Sequence, residues 1–278
     1  MEQNTLDKIT KCMLTNSSIQ KVQTEHRIKL AQFWGIKEGS RVLEIGCGQG
    51  DTTAVLAYLA GETGFVHGVD IASPDYGAPA TLGASADFLK KSYLGNRITF
   101  DFETDVLSPG VDFPDNYFDF IILSHCSWYF KSSGEFSSVL NRSRKWGRQL
   151  CFAEWDARIT SIEQYPHLLA ILIQAQYESF KNDSDSNVRT LFTPDDAKRI
   201  AREAGFTIQK ETSLFSPGLQ DAEWEIDYLL QEYHGEMSLI DEMPDKLKSL
   251  IHSEVNLLQE SIKHRQVKPM SIYACTAE

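Results

Sequence analysis

The sequence predicts a doubly wound α/β domain built around a mostly parallel, seven-stranded sheet. Its 278 residues suffice for one large domain, in which a sheet flanked by helices can bury a substantial core. From residue 41 onward, short apolar runs alternate with longer stretches of helical periodicity, which is typical of parallel strands covered on both faces. The apolar run within 118–123 indicates a fully buried strand of such a sheet.

The predicted elements follow one another from residue 41 to the last residues of the chain. Strands are predicted at 41–46, 65–69, 98–102, 118–123, 149–153, 206–210 and 270–276. Helices are predicted at 51–60, 84–93, 137–146, 159–181 and 194–204. Thr193 is a residue type that caps helices and Pro194 follows it, so the last of these helices begins there.

We interpret residues 1–278 as a single domain with three additions to its core. The core comprises, in chain order, 41–156, 193–216 and 267–278. Segment 1–34 is predicted to be an N-terminal helical cap whose charged side chains face solvent. Segment 157–192 is predicted to be a helical lid over an acceptor site. The helical insertion 217–266 has three roles open to it: packing on the lid, a homodimer contact, or an extension of the core.

Charge and composition restrict the classes of function. Lys and Arg total 27 against 39 Asp and Glu, and the resulting net charge of −12 has the wrong sign for binding phosphate backbones. No stretch approaches the roughly 18 apolar residues that a membrane helix needs, and the first residues lack a signal-peptide pattern. We therefore expect a cytoplasmic protein that binds neither nucleic acid nor membranes.

Cysteine and histidine spacing predicts neither a disulfide framework nor a metal site. The five cysteines are scattered singly, with no C-x-x-C pair. The seven histidines show no H-E-x-x-H spacing. Reduced thiols and a metal-free site are the expectation.

The most informative segment is EIGCGQG at 44–50, which joins the first predicted strand to the first core helix. Glycines at such a crossing let a ligand approach the backbone closely, and the following helix N-terminus offers free N–H groups to an anion. Open parallel sheets bind ligands beyond the carboxyl ends of their strands. Asp70 ends the next strand, where its carboxylate suits ribose hydroxyls. A purely structural turn is the alternative for the glycines.

A dinucleotide-binding loop is the main competing interpretation of this segment. Its fingerprint G-x-G-x-x-G would place the third glycine at position 51, where this chain has Asp51, and a carboxylate there repels a pyrophosphate. Glu44 adds a second negative charge, which is costly to bury without a partner. The two carboxylates favour a sulfonium amino acid, which carries an ammonium group and no phosphate.

The segment VLEIGCGQG resembles the first motif of the class I S-adenosylmethionine-dependent methyltransferases, hydrophobic-hydrophobic-D/E-x-G-x-G-x-G. Three later segments resemble further motifs of that family, in the family's order: HGVDI around Asp70, Thr104–Val106, and Asp119–Ser124. The resemblance covers residues 41–130. It implies the Rossmann-like methyltransferase fold and S-adenosylmethionine as the cofactor.

The resemblance also implies roles for individual residues at the cofactor site. The methionine end would be held by Glu44 and by the backbone of Gly46, Cys47, Gly48 and Gly50. The Ser124 carbonyl would assist, Asp70 would bind the ribose, and Ile71 would pack on the adenine. Asp105 and the Val106 backbone would read the adenine amino edge, although capping of a turn is an alternative role for Asp105.

Five residues are candidates for binding the acceptor or for removing a proton from it. His125 directly follows the fourth strand and is a candidate general base, because histidine accepts protons near neutral pH. A loop-capping role is the alternative for His125, since some members of the family use no base. Tyr129 and Glu154 lie at neighbouring strand ends, and Tyr165 and Tyr177 lie on the predicted lid. These four are candidates for binding the acceptor.

The sequence therefore predicts an enzyme that transfers a methyl group from S-adenosylmethionine to a small-molecule acceptor. Two alternatives remain at this point: a sensor that binds the cofactor without catalysis, and another transferase on the same fold, such as an aminopropyltransferase. Formation of a product distinguishes an enzyme from a sensor.

Overall fold

A computed structural model describes residues 3–184, 186–263 and 266–278. The strands are β1 (Arg41–Ile45), β2 (Phe65–Val69), β3 (Ile98–Asp101), β4 (Phe118–Ser124), β5 (Gly147–Asp156), β6 (Ile208–Leu214) and β7 (Ser271–Ala277). The α-helices are α1 (Gln3–Thr10), α2 (Ser18–Trp34), α3 (Asp51–Ala60), α4 (Leu82–Lys90), α5 (Ser133–Ser143), α6 (Tyr165–Glu178), α7 (Pro194–Glu203), α8 (Asp221–Ser238) and α9 (Asp245–Lys263). Short 3-10 helices occupy Gly95–Arg97, Ser127–Tyr129 and Ile162–Gln164. Across the described ranges, no helix has both the length and the apolar character needed to cross a membrane.

The spatial order of the strands differs from their chain order, because the chain builds the sheet outward from β1 in two directions. In the described part of the chain the order is β3-β2-β1-β4-β5-β7-β6. Val42 of β1 lies opposite Val66 in the parallel β2 and opposite Phe120 in the parallel β4. Among the strands of the described residues, only β7 reverses direction, running antiparallel to both β5 and β6. The predicted doubly wound, mostly parallel seven-stranded fold is confirmed.

The central strands are buried on both faces. Successive side chains of a strand point to opposite faces, so burial of consecutive residues requires cover on each side. Val42 and Leu43 of β1 are both fully buried, as are Ile121 and Ile122 of β4. All four belong to the main apolar cluster, which extends from the sheet into the covering helices.

Helices α6, α8 and α9 form a second apolar cluster beside the sheet. Ile173 of α6 packs there with Leu229 of α8 and Ile251 of α9, all three fully buried. Ile171, on another side of α6, belongs to the main cluster. The predicted lid segment and the predicted insertion 217–266 therefore pack against each other, which is one of the three roles that the sequence left open for the insertion.

The boundaries of some elements differ from the predicted ones. β6 spans Ile208–Leu214 rather than 206–210. This edge strand is mostly exposed, so no apolar run marks it in the sequence, and the buried Phe206 lies before it. The helix predicted at 159–181 begins at Tyr165, after a capping box formed by Ser161 and Gln164. Helix α1 lies within the segment 1–34 that the sequence predicts as a helical cap, together with α2.

Candidate functional site

The carboxyl ends of β1, β2, β4 and β5 lie along one edge of the sheet, because these strands run parallel to one another. β1 leads into the glycine loop 46–50, and Asp70 directly follows β2. His125 directly follows β4, and Glu154 lies near the carboxyl end of β5. The predicted cofactor residues and two of the predicted acceptor residues therefore occupy the same edge.

The glycine loop leaves room for a ligand at Gly48. Gly46 and Gly50 have positive φ angles of 77° and 84°. A Cβ on Gly46 would lie 2.7 Å from the Cβ of Cys126, and a Cβ on Gly50 would lie 2.9 Å from Cζ of Phe100, so packing alone requires these two glycines. Gly48 has φ 51°, but a Cβ there would meet no atom within 4 Å. Gly48 is thus the point at which the loop backbone is open to a ligand.

Asp70 holds the glycine loop in place. Its Oδ2 accepts a hydrogen bond from the backbone N–H of Gly48 at 2.8 Å, and its Oδ1 accepts one from Ala72 at 2.9 Å. Each carboxylate oxygen has a second lone pair, so capacity for ribose hydroxyls is retained. The adjacent Ile71 is 68% exposed, which leaves a large apolar side chain uncovered where the sequence predicts the adenine.

Glu44 is a buried carboxyl group with one neutral hydrogen-bonding partner. Its side chain is 2% exposed, and its Oε2 accepts a hydrogen bond from the Thr53 hydroxyl at 2.5 Å. Burial raises the pKa of Glu44 to about 8, and the charges of Asp70 and Asp51 also raise it, against the hydrogen bond from Thr53 and the charge of Arg27. A ligand ammonium group at this position would favour the ionised carboxylate.

Helix α2 lies against the start of α3, beside the loop. The Gln20 side-chain amide donates to Asp51 Oδ1 at 3.1 Å, and the Arg27 guanidinium lies 3.7 Å from Asp51 Oδ2. The predicted N-terminal cap therefore contacts the residue that follows the glycine loop. Arg27 is only 18% exposed along its side chain, so it is not among the solvated charges that the sequence predicted for this segment.

The remaining predicted cofactor residues occupy the same region. Asp105 Oδ1 accepts a hydrogen bond from the backbone of Leu107 at 2.8 Å, which is the turn-capping role that the sequence left as an alternative. Val106 is buried. Cys47 is also buried, and burial raises the pKa of its thiol, which remains protonated. The Ser124 hydroxyl is buried without a hydrogen-bond partner among the described residues.

His125 stands where β4 turns out of the sheet. Its φ angle is 53°, in the left-handed region that non-glycine residues rarely adopt, and its backbone N–H donates to Ala153 of β5 at 2.9 Å. Its Nδ1 lies 3.8 Å from Oε1 of Glu154. Burial lowers the pKa of His125 well below its ordinary value, and the charge of Arg27, with that of His26 whenever His26 is protonated, acts in the same direction. The imidazole is therefore neutral near pH 7 and retains a lone pair.

Glu154 is fixed by hydrogen bonds to the segment after His125. Its Oε2 accepts from the backbone N–H and the hydroxyl of Ser127, at 3.0 and 2.8 Å, and its Oε1 accepts from the backbone of Trp155 at 3.0 Å. Burial raises the pKa of Glu154 to about 7, although these hydrogen bonds oppose the rise. A carboxyl group held in this way can balance a positive charge that develops on His125.

His26 of α2 is a site residue that the sequence interpretation missed. That interpretation placed the charges around 25–29 in solvent, and the pair Glu25 and Lys29 does face solvent. His26, on another side of the helix, is 2% exposed, and its Nε2 lies 3.4 Å from Nε2 of His125. The helical spacing of the buried Ile28 and Ala31 marks an inward face, but no pattern in one sequence pairs His26 with a residue a hundred positions away.

The predicted acceptor tyrosines occupy two different places. Tyr129 lies on the short helix after β4, at the same edge as His125, and its side chain is 44% exposed. Tyr177 is buried in the second apolar cluster, and Tyr165 packs against that cluster. Their contact with an acceptor remains a prediction, whereas His125 and Glu154 are neighbours in the structure.

The residues at this edge fit S-adenosylmethionine. The backbone at Gly48 faces open space, and the exposed Ile71 offers an apolar surface to an adenine ring. Among the described residues, the buried Glu44 has a hydrogen bond from Thr53 and none from a cationic side chain. Within the described ranges, His, Cys, Asp and Glu side chains form no group of three or more that could hold a metal ion.

A family model described as a methyltransferase domain matches residues 20–211, which is more than half of the chain. The chain belongs to this methyltransferase family. The match confirms the resemblance that the motifs indicated and agrees with S-adenosylmethionine as the cofactor. It includes α2 with His26, and β1 through β5 of the methyltransferase sheet.

Individual relatives extend the comparison. The chain is 30% identical over 155 residues to methyltransferase phomM' of Diaporthe leptostromiformis, covering 48% of this chain and 40% of that protein. It is 27% identical over 180 residues to the ubiquinone/menaquinone biosynthesis C-methyltransferase UbiE of Vibrio vulnificus, covering 62% and 66%. A solved cyclopropane-fatty-acyl-phospholipid synthase-like protein from Lactobacillus casei is 35% identical, with a TM-score of 0.86 and coverage of 100% and 99%. The last similarity includes the second apolar cluster of this methyltransferase.

The geometry of the loop predicts that Gly48→Ala separates ligand binding from stability. The added methyl meets no protein atom, so we expect only the strain of the left-handed backbone, about 1–2 kcal/mol, in urea unfolding. Because the methyl points into the ligand space, affinity for S-adenosylhomocysteine measured by calorimetry should fall at least about tenfold, or ~1.4 kcal/mol. Gly39→Ala is the matched control, since Gly39 has φ 83° and a Cβ there would make only an ordinary contact with Thr63 at 3.5 Å. Equal affinities of the two variants would contradict the assignment of this space to the ligand.

Proposed function

We propose that this protein transfers the methyl group of S-adenosylmethionine to a small-molecule acceptor that binds at the His125 end of the sheet edge. The observation that carries the proposal is the adjacency of two sets of residues. Glu44 and Asp70 lie at the ends of β1 and β2, and His125 and Glu154 lie at the ends of the neighbouring β4 and β5. The family match supports the same reaction class.

The first set of residues would bind the donor. Glu44 would pair with its ammonium group, and the backbone at Gly48 would approach its methionine portion. Asp70 would bind the ribose hydroxyls, Ile71 would cover one adenine face, and Asp105 would lie toward the adenine edge. When bound, S-adenosylmethionine supplies a methyl carbon on a positively charged sulfur, and that sulfur keeps the electron pair of the broken bond.

The second set of residues would act on the acceptor. Methyl transfer is an in-line displacement, so the chain's task is to align the acceptor atom, exclude water and receive a proton where the acceptor carries one. His125 is neutral and retains a lone pair, which is the state required of a base. Glu154, 3.8 Å from Nδ1 of His125, would stabilise the imidazolium that forms. Tyr129, exposed at the same edge, would contact the acceptor.

The direct test is formation of a methylated product. The purified protein is incubated with methyl-labelled S-adenosylmethionine and a metabolite extract, and labelled products are identified by mass spectrometry. We expect one or more small molecules that gain a labelled methyl group, together with release of S-adenosylhomocysteine. Asp70→Ala should abolish the labelling, because it removes the proposed ribose ligand. Asp101→Ala is the matched control, since Asp101 ends the adjacent β3 but contacts His67 at 2.7 Å.

The outcome separates the alternative functions. A cofactor-binding protein that gives no labelled product would be a sensor and would contradict catalysis. A product that gains an aminopropyl group instead of a methyl group would identify an aminopropyltransferase. Labelling that persists in Asp70→Ala would contradict the assigned donor site.

The segment 157–192 would serve as the cover of the acceptor site. Its helix α6 contributes Ile171 to the main cluster and Ile173 to the second cluster, so it bridges the sheet and the helices α8 and α9. We expect amide hydrogen exchange across 157–192 to slow when S-adenosylhomocysteine and acceptor are both bound, because closure excludes water from the transfer site. Exchange across α3 provides the reference for effects of donor binding alone. Slow exchange in the free protein that does not respond to ligands would identify α6 as a fixed structural helix.

A further inference from the structure

His26, His125 and Ser216 form a continuous hydrogen-bonded chain that ends at the proposed base. Nδ1 of His26 lies 3.0 Å from the Ser216 hydroxyl, and Nε2 of His26 lies 3.4 Å from Nε2 of His125. The two imidazole centroids are 5.5 Å apart. His26 and Ser216 are both buried, at 2% and 6% exposure, and come from α2 and from the segment after β6. These hydrogen bonds therefore join three distant parts of the sequence at the proposed acceptor side of the site.

Both histidines are neutral, and neutrality restricts where their protons reside. Burial lowers the pKa of His26 to about 3, and the charges of Arg27 and Lys29 lower it further, while burial likewise lowers the pKa of His125. A neutral imidazole carries one N–H and one bare nitrogen. Across the Nε2–Nε2 contact, one ring must donate and the other must accept. Each choice then fixes the tautomer of both rings.

The surroundings of His125 favour one of the two choices. Its Nε2 has the Nε2 of His26 within hydrogen-bond distance. Its Nδ1 has Oε1 of Glu154 at 3.8 Å, which is too long for a hydrogen bond. The single proton of His125 therefore finds an acceptor at Nε2, and Nδ1 is left bare. His26 must then carry its own proton on Nδ1, from which it donates to the Ser216 hydroxyl at 3.0 Å.

We propose that His26 is a positioning residue that accepts the Nε2–H of His125 and thereby keeps the Nδ1 lone pair of His125 free to take a proton from the acceptor. This inference rests on the proposed function, within which it assigns the reacting nitrogen. As the acceptor atom gains its bond to the methyl carbon, its hydrogen leaves as a proton and binds Nδ1 of His125. The electron pair of the broken acceptor–hydrogen bond remains on the acceptor atom. The resulting imidazolium donates through Nε2 to His26 and faces Glu154 through Nδ1.

The opposite arrangement would leave His125 without a base function. If His26 donated from Nε2, His125 would carry its proton on Nδ1 and its remaining lone pair would be occupied by His26. Both ring nitrogens of His125 would then be occupied, Nδ1 by its own proton and Nε2 by the hydrogen bond from His26, so His125 would not receive a further proton. The tautomer of His125 therefore separates a positioning role for His26 from a purely structural contact.

The experiment is long-range proton–nitrogen NMR of the whole protein labelled with ¹⁵N in its histidine rings, with S-adenosylhomocysteine bound. In the unsubstituted protein we expect His125 as the Nε2–H form and His26 as the Nδ1–H form. His167 is an internal reference, because the Met270 backbone N–H donates to its Nδ1 at 3.0 Å and so fixes the Nε2–H form. His125 observed as the Nδ1–H form would overturn the proposal without any substitution.

Two substitutions of His26 test its role as the acceptor. In His26→Gln, the amide oxygen can reach the position of Nε2, so His125 should stay in the Nε2–H form. In His26→Leu, the acceptor is lost, and the His125 proton should move to Nδ1 beside Glu154. With an acceptor identified in the product experiment, kcat should fall at least about tenfold in His26→Leu and recover in His26→Gln. An unchanged His125 tautomer in His26→Leu would overturn the proposal.

Binding of S-adenosylhomocysteine keeps this test separate from the test of the proposed function. Both His26 variants should bind it as the unsubstituted protein does, because His26 contacts His125 and Ser216 rather than the glycine loop. Failure of the unsubstituted protein to bind it would contradict the proposed function itself. Where His26→Leu does not fold, Ser216→Ala removes the acceptor of the His26 proton instead, and the His26 Nδ1–H form should then decrease. A His26 signal that does not change in Ser216→Ala would contradict the proposed hydrogen bond from His26 to Ser216.

Discussion

The parallel pairing of β1 with β4 holds the two halves of the site together. Most of the proposed donor residues belong to β1 and β2 or to the turns that follow them, whereas His125 directly follows β4 and Glu154 belongs to β5. In the sequence, β2 and β3 lie between β1 and β4, and in the sheet they lie on the other side of β1 from β4. The β1–β4 ladder, in which Glu44 lies opposite Ile122, therefore sets the distance between the donor and acceptor sides. A parallel ladder in a buried sheet is rigid, so this distance is fixed by the fold rather than by the loops.

Burial determines the chemical state of the groups at this edge. Desolvation raises the pKa of Glu44 to about 8 and that of Glu154 to about 7, and it lowers the pKa of both His26 and His125. Near pH 7 both histidines are thus neutral, and burial favours the protonated forms of Glu44 and Glu154. A positively charged donor would shift the two carboxyl groups toward their ionised forms. Under this proposal, donor binding and preparation of the acceptor side would be coupled through electrostatics.

The sequence predicts the donor half of this site better than the acceptor half. The glycine loop and Asp70 lie at turns between consecutive elements, so their neighbours along the chain also define their surroundings in space. The pairing of His26 with His125 depends instead on how α2 packs across the sheet edge, and local periodicity does not contain that information. The same limit applies to β6, whose exposed edge position removes the apolar run that marks a strand. Tyr165 and Tyr177 are a further example. The sequence predicts them as acceptor-binding residues of a lid, but Tyr177 is buried in the second apolar cluster and Tyr165 packs against it.

The central claim is that this edge of the sheet binds a sulfonium amino acid nucleoside rather than a dinucleotide. Calorimetric titration of the full chain with S-adenosylmethionine and, separately, with NAD tests it most directly. Glu44 and Asp51 place carboxyl groups on both sides of the glycine loop, where their ionised forms would favour an ammonium group and repel a pyrophosphate. The account predicts a micromolar dissociation constant for S-adenosylmethionine, about −8 kcal/mol, and no comparable affinity for NAD. NAD binding as tight as that of S-adenosylmethionine would contradict it.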